Sequence, residues 1–171
     1  MGDRTYCTLD ISGALDANHI PALAEAISGA DAEEGAADDI EQLLGKGQRD
    51  FSFSEVNYAA MDSDVEDILK ALGLGWAWSW ESGDEHPEGV TLFDPDMGED
   101  AEDYSTSSGD ICLTLQEIRT EGAVARAEAW DRLWRQGRLH IFESRHALLK
   151  IAHDHGLSET QIQRALRAKI P

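Results

Sequence analysis

The chain has 171 residues and a formal net charge of −20, with hydrophobic and charged shares of 42% and 28%. This size and composition favour one folded domain, or a domain with a small appendage, and are not typical of a disordered chain. No apolar run approaches the roughly 18 residues of a spanning helix, and no secretory signal pattern is visible, so we expect a cytoplasmic protein.

The charge is unevenly distributed along the chain. Residues 1–130 hold 30 Asp or Glu and 6 Lys or Arg, whereas residues 131–171 hold 4 and 8. Such asymmetry suggests that the two segments have different partners. The two cysteines, Cys7 and Cys112, lie in apolar alternating segments, and we expect reduced, buried thiols.

The first elements are predicted by their hydrophobic spacing. YCTLDIS alternates as a half-buried strand, and a helix around residues 20–27 ends at Gly29. DDIEQLLGKG predicts a short acidic helix closed by Gly45. FSFSEVNY predicts a second strand whose apolar phase shifts, which indicates a bulge near Ser54. Ser63 and Glu66 form a capping-box pattern for a third helix, which Gly73 would end.

Three further strands and then helices are predicted after that glycine. The strands are WAWSW, GVTLF and DICLTLQEI, and a helical pattern begins near Glu121. The expected fold is α+β: a mixed or antiparallel sheet of about five strands, with helices on one face and a C-terminal helical hairpin. We divide the chain into an acidic α+β domain, 1–120, and a helical segment, 121–171, packed against it.

Residues 93–103, FDPDMGEDAED, contain six carboxylates among eleven side chains. A calcium-binding EF-hand loop starts similarly, but Met97 and Gly98 break its register. We therefore expect no metal and no cofactor. Two interpretations remain open: a solvated loop beside an edge strand, or a surface that imitates phosphates.

Phosphate imitation would also explain acidic clusters elsewhere, since duplex DNA carries one charge per roughly 1.7 Å of axis. In size and composition the chain resembles the small acidic inhibitors of phages and mobile elements, including anti-restriction and anti-CRISPR proteins. The resemblance implies a partner with a basic nucleic-acid-binding groove. The carboxylates that we expect to contact this partner are Asp94, Asp96, Glu99, Asp100, Glu102, Asp103, Asp84, Glu85, Asp62, Asp64, Asp67, Asp38 and Asp39.

The stretch WAWSW places Trp76, Trp78 and Trp80 on one strand face. Large aromatic side chains favour a core position under the helices. A partner-binding hot spot is the alternative. Stacking on bases is disfavoured, because nearby carboxylates would repel phosphates.

The C-terminal segment 148–169 has the most specific local pattern. Leu148, Leu149, Ile151 and Ala152 form a helix stripe ended by Gly156, and Ser158 with Gln161 makes a capping box for a second helix. This resembles a helix-turn-helix. The resemblance implies a recognition helix at 159–168, in which DNA would be contacted by Thr160, Gln161, Gln163, Arg164 and Arg167. An ordinary αα-hairpin, which docks on the acidic face or forms a homodimer interface, is the alternative.

No catalytic signature appears in the chain, and we expect a protein that is not an enzyme and has no catalytic residues. The histidines at positions 140, 146, 153 and 155 fit no zinc spacing and are expected on solvent-facing helices. The leading hypothesis is a nucleic-acid-mimicking inhibitor of a bacterial defence complex. The alternatives are a DNA-binding transcriptional regulator and an interaction module unrelated to nucleic acid.

Overall fold

The computed structural model describes residues 4–83, 87–97, 102–107 and 110–168, and the side chains of residues 55, 102–105 and 107 lie outside this description. The strands are β1 (Arg4–Asp16), β2 (Asp50–Asn57), β3 (Gly75–Trp80), β4 (Gly89–Phe93), β5 (Glu102–Ser107), β6 (Asp110–Cys112) and β7 (Leu139–Phe142). The helices are α1 (Ile20–Gly29), α2 (Ala37–Gly45), α3 (Ser63–Leu72), α4 (Leu115–Ile118), α5 (Ala123–Gln136), α6 (Arg145–His155) and α7 (Glu159–Arg167), and a short 3₁₀ turn, Ala17–His19, precedes α1.

The sheet confirms the predicted α+β class. Its antiparallel strands follow the order β2-β1-β3-β4-β5-β6, and β7 adds a parallel pairing with β1. The predicted bulge is present, because two steps along β1, from Thr5 to Cys7, match three along β2, from Val56 to Phe53. The amides of Ile11 and Gly13 donate to the residues just before β2 and β7, so both strands line the same edge of β1.

One face of the sheet is covered by α1, α2 and α3. Leu9, Trp76 and Trp78 pack there in one buried cluster with apolar residues of the three helices. The core interpretation of the tryptophan stripe is thus confirmed for Trp76 and Trp78, whereas Trp80 is half-buried. The helices lie here because each carries an apolar stripe at helical spacing that requires burial.

The opposite face of the sheet is covered by α5. Ala77, between the two core tryptophans in sequence, faces this side and packs with Val90, Leu92 and Trp130. Helices therefore cover two faces, where the sequence had predicted one. The long stripe of α5 finds its partner on the face that α1–α3 leave open, since alternate residues of a strand point to opposite sides.

A third cluster joins the C-terminal helices to the end of β1. Ala14, Phe142, Leu148 and Ala165 are its buried members. This cluster forms because β7 pairs with β1 at Gly13–Asp16, which brings the flanking helices against the sheet. None of the described helices is long and apolar enough to cross a bilayer.

Several local predictions are wrong. The strand predicted in DICLTLQEI ends at Cys112, because Thr114 and Glu117 form a capping box that starts α4. The side chain that caps α3 belongs to Asp62, which accepts from the amide of Asp64, and Ser63 is already helical. Cys112 is exposed, whereas burial raises the pKa of the Cys7 thiol to about 12 and leaves it unreactive.

Candidate functional site

The carboxylates predicted in α2 and α3 are solvent-exposed. Asp38 and Asp39 lie in the first turn of α2, and Asp64 lies in the first turn of α3, after its N-cap Asp62. Negative charge at these positions interacts favourably with the helix dipole, by about 0.3–1 kcal/mol each. Local helix chemistry therefore permits an acidic surface without loss of fold.

Three adjacent helices combine these carboxylates into one surface. In this layer α1 packs against both α2 and α3, so their outer faces adjoin. Residues 17–74, which span the layer and β2, hold 13 Asp or Glu and 3 Lys or Arg. We call the exposed carboxylates of α1–α3 and the α3 cap the acidic layer; they are Glu25, Asp38, Asp39, Glu41, Asp62, Asp64 and Asp67.

The three basic residues in this range do little to neutralise the acidic layer. Arg49 pairs with Asp10 at 2.7 Å, and Lys70 pairs with Glu66 at 2.6 Å. Lys46 follows the last residue of α2, at the far end of that helix from Asp38 and Asp39. Within the described residues, no ion pair involves a carboxylate of the acidic layer.

The described part of the acidic stretch turns back onto the C-terminal helices. The hydroxyl of Ser158 donates to the carboxylate of Asp96, 2.9 and 3.1 Å from its two oxygens, while accepting from the amide of Gln161. Asp94 is half-buried, and burial raises its pKa, opposed in part by the amide of Asp96 and the charge of Arg164. Asp94 and Asp96, which were predicted to contact a partner, therefore interact with α7 or its N-cap in the same molecule.

The remaining predicted carboxylates differ in how much the structure says of them. Asp84, Glu85, Glu99 and Asp100 lie outside the described residues. Glu102 and Asp103 belong to β5, where their backbones pair with β4 at Leu92 and Thr91. The stretch was predicted as a loop, and it contains part of a strand because β4 offers a free edge.

The predicted pair of C-terminal helices is present, with Gly156 in the left-handed conformation at the end of α6 and a capping box at Ser158. Thr160, Gln163 and Arg167 are exposed, as DNA contact would require. Gln161 instead accepts from the Ser158 amide as part of the cap. Arg164 is half-buried beside the end of α3, since a Cβ built on Gly73 would lie 2.8 Å from its own Cβ.

A basic cleft of about 840 Å³ lies where α5 ends, and sequence reasoning missed it. Its charged or titratable lining residues come from four parts of the chain and are Lys46, Arg49, Arg135, Arg138, His140 and His155. The excess of basic over acidic residues in 131–171 was a signal for it. These residues come close to the turn between α2 and β2 only because of β7, which was not predicted. His140 lies on a strand and faces this cleft, contrary to the prediction of solvent-facing helices.

The described side chains include no cluster of three or more His, Cys, Asp or Glu that could hold a metal ion. Comparison of the chain with protein-family models, with curated proteins and with solved structures found no match. The charge and geometry of the acidic layer and the basic cleft are therefore the features of this molecule that bear on its function.

Proposed function

We propose that this protein is an acidic inhibitor that occupies the basic nucleic-acid-binding surface of another protein, in a bacterial defence complex of the kind that anti-restriction or anti-CRISPR proteins block. The observation that carries the proposal is the acidic layer. Its carboxylates are exposed on three adjacent helices and have no ion-pair partner among the described residues.

The spacing of the acidic layer suits a groove built for phosphates. Asp38 and Glu41 are three residues apart, as are Asp64 and Asp67, and such pairs on a helix have Cβ atoms about 5–6 Å apart. A DNA strand carries one charge per roughly 3.4 Å of axis, so the separation within each carboxylate pair is within about a factor of two of the phosphate spacing. A cationic groove gains affinity for DNA because the counterions condensed on the DNA are released into solvent, and binding this surface would release counterions in the same way.

The first test is competition between this protein and DNA. A tagged protein is incubated with a bacterial lysate, and captured nuclease or Cas complexes are challenged with duplex DNA and with salt. The proposal expects both to release the partner, because they act on the same groove. A captured partner that binds DNA and this protein simultaneously would contradict it.

A charge-reversal pair identifies the surface. Glu25→Lys, Glu41→Lys and Asp67→Lys take one exposed carboxylate from each helix, away from the first turns and caps. We expect at least a tenfold loss of affinity, which corresponds to about 1.4 kcal/mol. The control, Glu121→Lys, Glu128→Lys and Glu143→Lys, makes the same charge change at exposed positions elsewhere. Equal losses in the two variants would show a nonspecific effect of net charge.

A DNA-binding regulator is the second candidate, favoured by the three-residue connection between α6 and α7 and by the exposure of Arg167. Retention of duplex DNA by the wild-type protein, abolished by Arg164→Ala with Arg167→Ala, would support it. Absence of retention at low salt would reject it, since phosphate contacts are strongest there.

A further inference from the structure

The basic cleft lies at the opposite end of α2 from the first-turn carboxylates Asp38 and Asp39. It is bordered by Lys46 after α2, by Arg135 and Gln136 at the end of α5, by Arg138 before β7, and by two histidines. None of its described lining residues is Asp or Glu. The chain as a whole has a net charge of −20, so the positive charge of this concave surface is opposite in sign to that of the chain.

Two of the arginines are already neutralised and shape the cleft. Arg49 donates to Asp10 and to the backbone carbonyls of Trp134 and Gly137, which fixes β2 against the end of α5. Arg135 pairs with Asp110 and with Asp131, each at 2.7 Å. These contacts hold the walls, so their guanidinium groups are not the ones that a ligand would engage first.

Lys46 and Arg138 are exposed, and neither forms an ion pair with a described residue. They come from different parts of the chain, after α2 and before β7, and line the same cleft. A Lys ammonium and an Arg guanidinium together supply a point charge and a planar fork of donors, the combination that suits phosphate oxygens.

Two histidine rings also line the cleft. His140 and His155 are stacked with their centroids 4.3 Å apart. Burial, followed by the charges of His155 and Arg138, lowers the pKa of His140. An anion placed beside the rings would offset that mutual repulsion, because an opposite charge favours the protonated form.

We propose that this cleft binds the phosphate groups of a nucleotide-sized ligand. Lys46 and Arg138 contact the phosphate oxygens, and the ring N–H groups of His140 and His155 donate to the same groups. The volume of about 840 Å³ falls within the roughly 300–1,000 Å³ of small-molecule sites. A long nucleic acid is disfavoured as the occupant, since the adjoining polar cleft contains Asp94 and Asp96 and the whole protein is strongly negative.

Direct binding measurements test the site. The full-length protein is titrated calorimetrically with ATP, AMP, inorganic tripolyphosphate and inorganic phosphate, and with a short single-stranded oligonucleotide at the same ionic strength. We expect ATP to bind more tightly than AMP. Tripolyphosphate equal to ATP would support recognition through phosphates alone, and ATP tighter than tripolyphosphate would support a nucleotide.

The variant Lys46→Gln with Arg138→Gln should weaken ATP binding at least tenfold. The matched control is Arg145→Gln with Lys150→Gln, which removes the same charge from exposed positions on α6 outside the cleft. Circular dichroism checks that both variants are folded. Absence of binding of every small probe, equal loss in the control, or tighter binding of the oligonucleotide than of ATP would overturn the proposal.

Phosphate binding in the basic cleft does not depend on the inhibitor function of the acidic layer. Reversal of Glu25, Glu41 and Asp67 should leave ATP binding within the range of the wild type, while the cleft variant should still compete with DNA for the partner. Failure of one set of experiments therefore does not decide the other.

Discussion

The acidic layer and the basic cleft differ in whether their charged side chains form ion pairs with residues of the opposite charge. In the acidic layer the carboxylates are exposed and unpaired within the described residues, whereas in the cleft two arginines are bound by carboxylates and Lys46 and Arg138 face solvent. The layer gathers acids at the first turns of α2 and α3, and the cleft gathers bases near the last turns of α5 and α6. Helix direction thus helps to separate the acidic from the basic side chains. The net charge of the chain does not reveal that its surface has an acidic and a basic region.

The ion pair of Arg49 with Asp10, which helps to shape the basic cleft, should give the largest stability effect. Arg49→Met leaves the largely buried Asp10 without its cation, and burial already raises the pKa of that carboxyl. We expect a loss of about 3 kcal/mol in the free energy of unfolding, measured by urea denaturation. Asp10→Asn in the same chain should restore part of it. A loss smaller than about 0.5 kcal/mol in Arg49→Met would show that the fold around the basic cleft does not depend on this ion pair.

The approach of α3 to α7 is tested at Gly73. Gly73→Ala forces an L-residue to φ of 67° and places a Cβ 2.8 Å from that of Arg164. The backbone strain alone is expected to cost about 1–3 kcal/mol. Gly156→Ala is the control, because its φ of 70° is similar while nothing lies within 4 Å of the new Cβ. If Gly73→Ala loses more free energy of unfolding than Gly156→Ala, the difference measures the contact between α3 and α7. Equal losses would show that α7 can move away from the new Cβ without a cost in stability.

Ser158 tests whether the acidic stretch is anchored to α7. Ser158→Ala removes the helix cap and the bond to Asp96, and capping alone contributes about 1 kcal/mol. Ser144→Ala removes the cap of α6, where the hydroxyl accepts from the Ala147 amide. Urea denaturation should show a greater loss for Ser158. A smaller loss than at Ser144 would mean that Asp96 contributes nothing to stability.

The smallest effect is expected from the histidine pair. The folded-state pKa of His140 is lowered, so the unfolded chain binds more protons as pH falls through the ordinary histidine pKa of about 6.5. Stability should therefore fall on acidification across the interval just below that value and be regained as pH rises. The charged or titratable groups around the ring are His155, Arg138, Lys46, Arg49 and Arg135 in the cleft, with Arg132, Asp94 and Asp96 in the adjoining cleft.

His140→Gln should flatten this pH dependence in thermal denaturation, and His146→Gln, outside the cleft, should keep the wild-type profile. Phosphate in the buffer should reduce the loss of stability at low pH in the wild type and much less in Lys46→Gln with Arg138→Gln. An unchanged dependence of stability on pH in His140→Gln would show that His140 does not cause the loss of stability at low pH.

Sequence reasoning was most successful where one element carries its own signal. The stripes of α1 and α3, the bulge in β2 and the cap at Ser158 depend on residues close in sequence. The strand β7 was missed because LHIF is four residues long and lies between helices. The basic cleft was missed for the same reason, since its cations converge when β7 pairs with β1.

The sequence predicted that the surface would be acidic, but it did not predict the position of every carboxylate in the fold. Asp38, Asp39, Asp62, Asp64 and Asp67 are exposed as expected, and all but Asp67 lie at a helix start, where such residues face solvent. Asp96 accepts a hydrogen bond from Ser158, the N-cap of α7, 62 positions later in the chain, and the charge of Arg164 acts on Asp94. No local pattern reports such a contact.

The parallel pairing of β7 with β1 has a consequence for synthesis on the ribosome. Gly13 lies beside Leu139, so the first strand cannot obtain this neighbour until more than 120 further residues have been translated. Non-local pairings of this kind slow folding, because a large loop must close before the contact forms. Until then the Gly13–Asp16 edge of β1 lacks its partner strand in the nascent chain, and such an open edge is a site where another chain could pair.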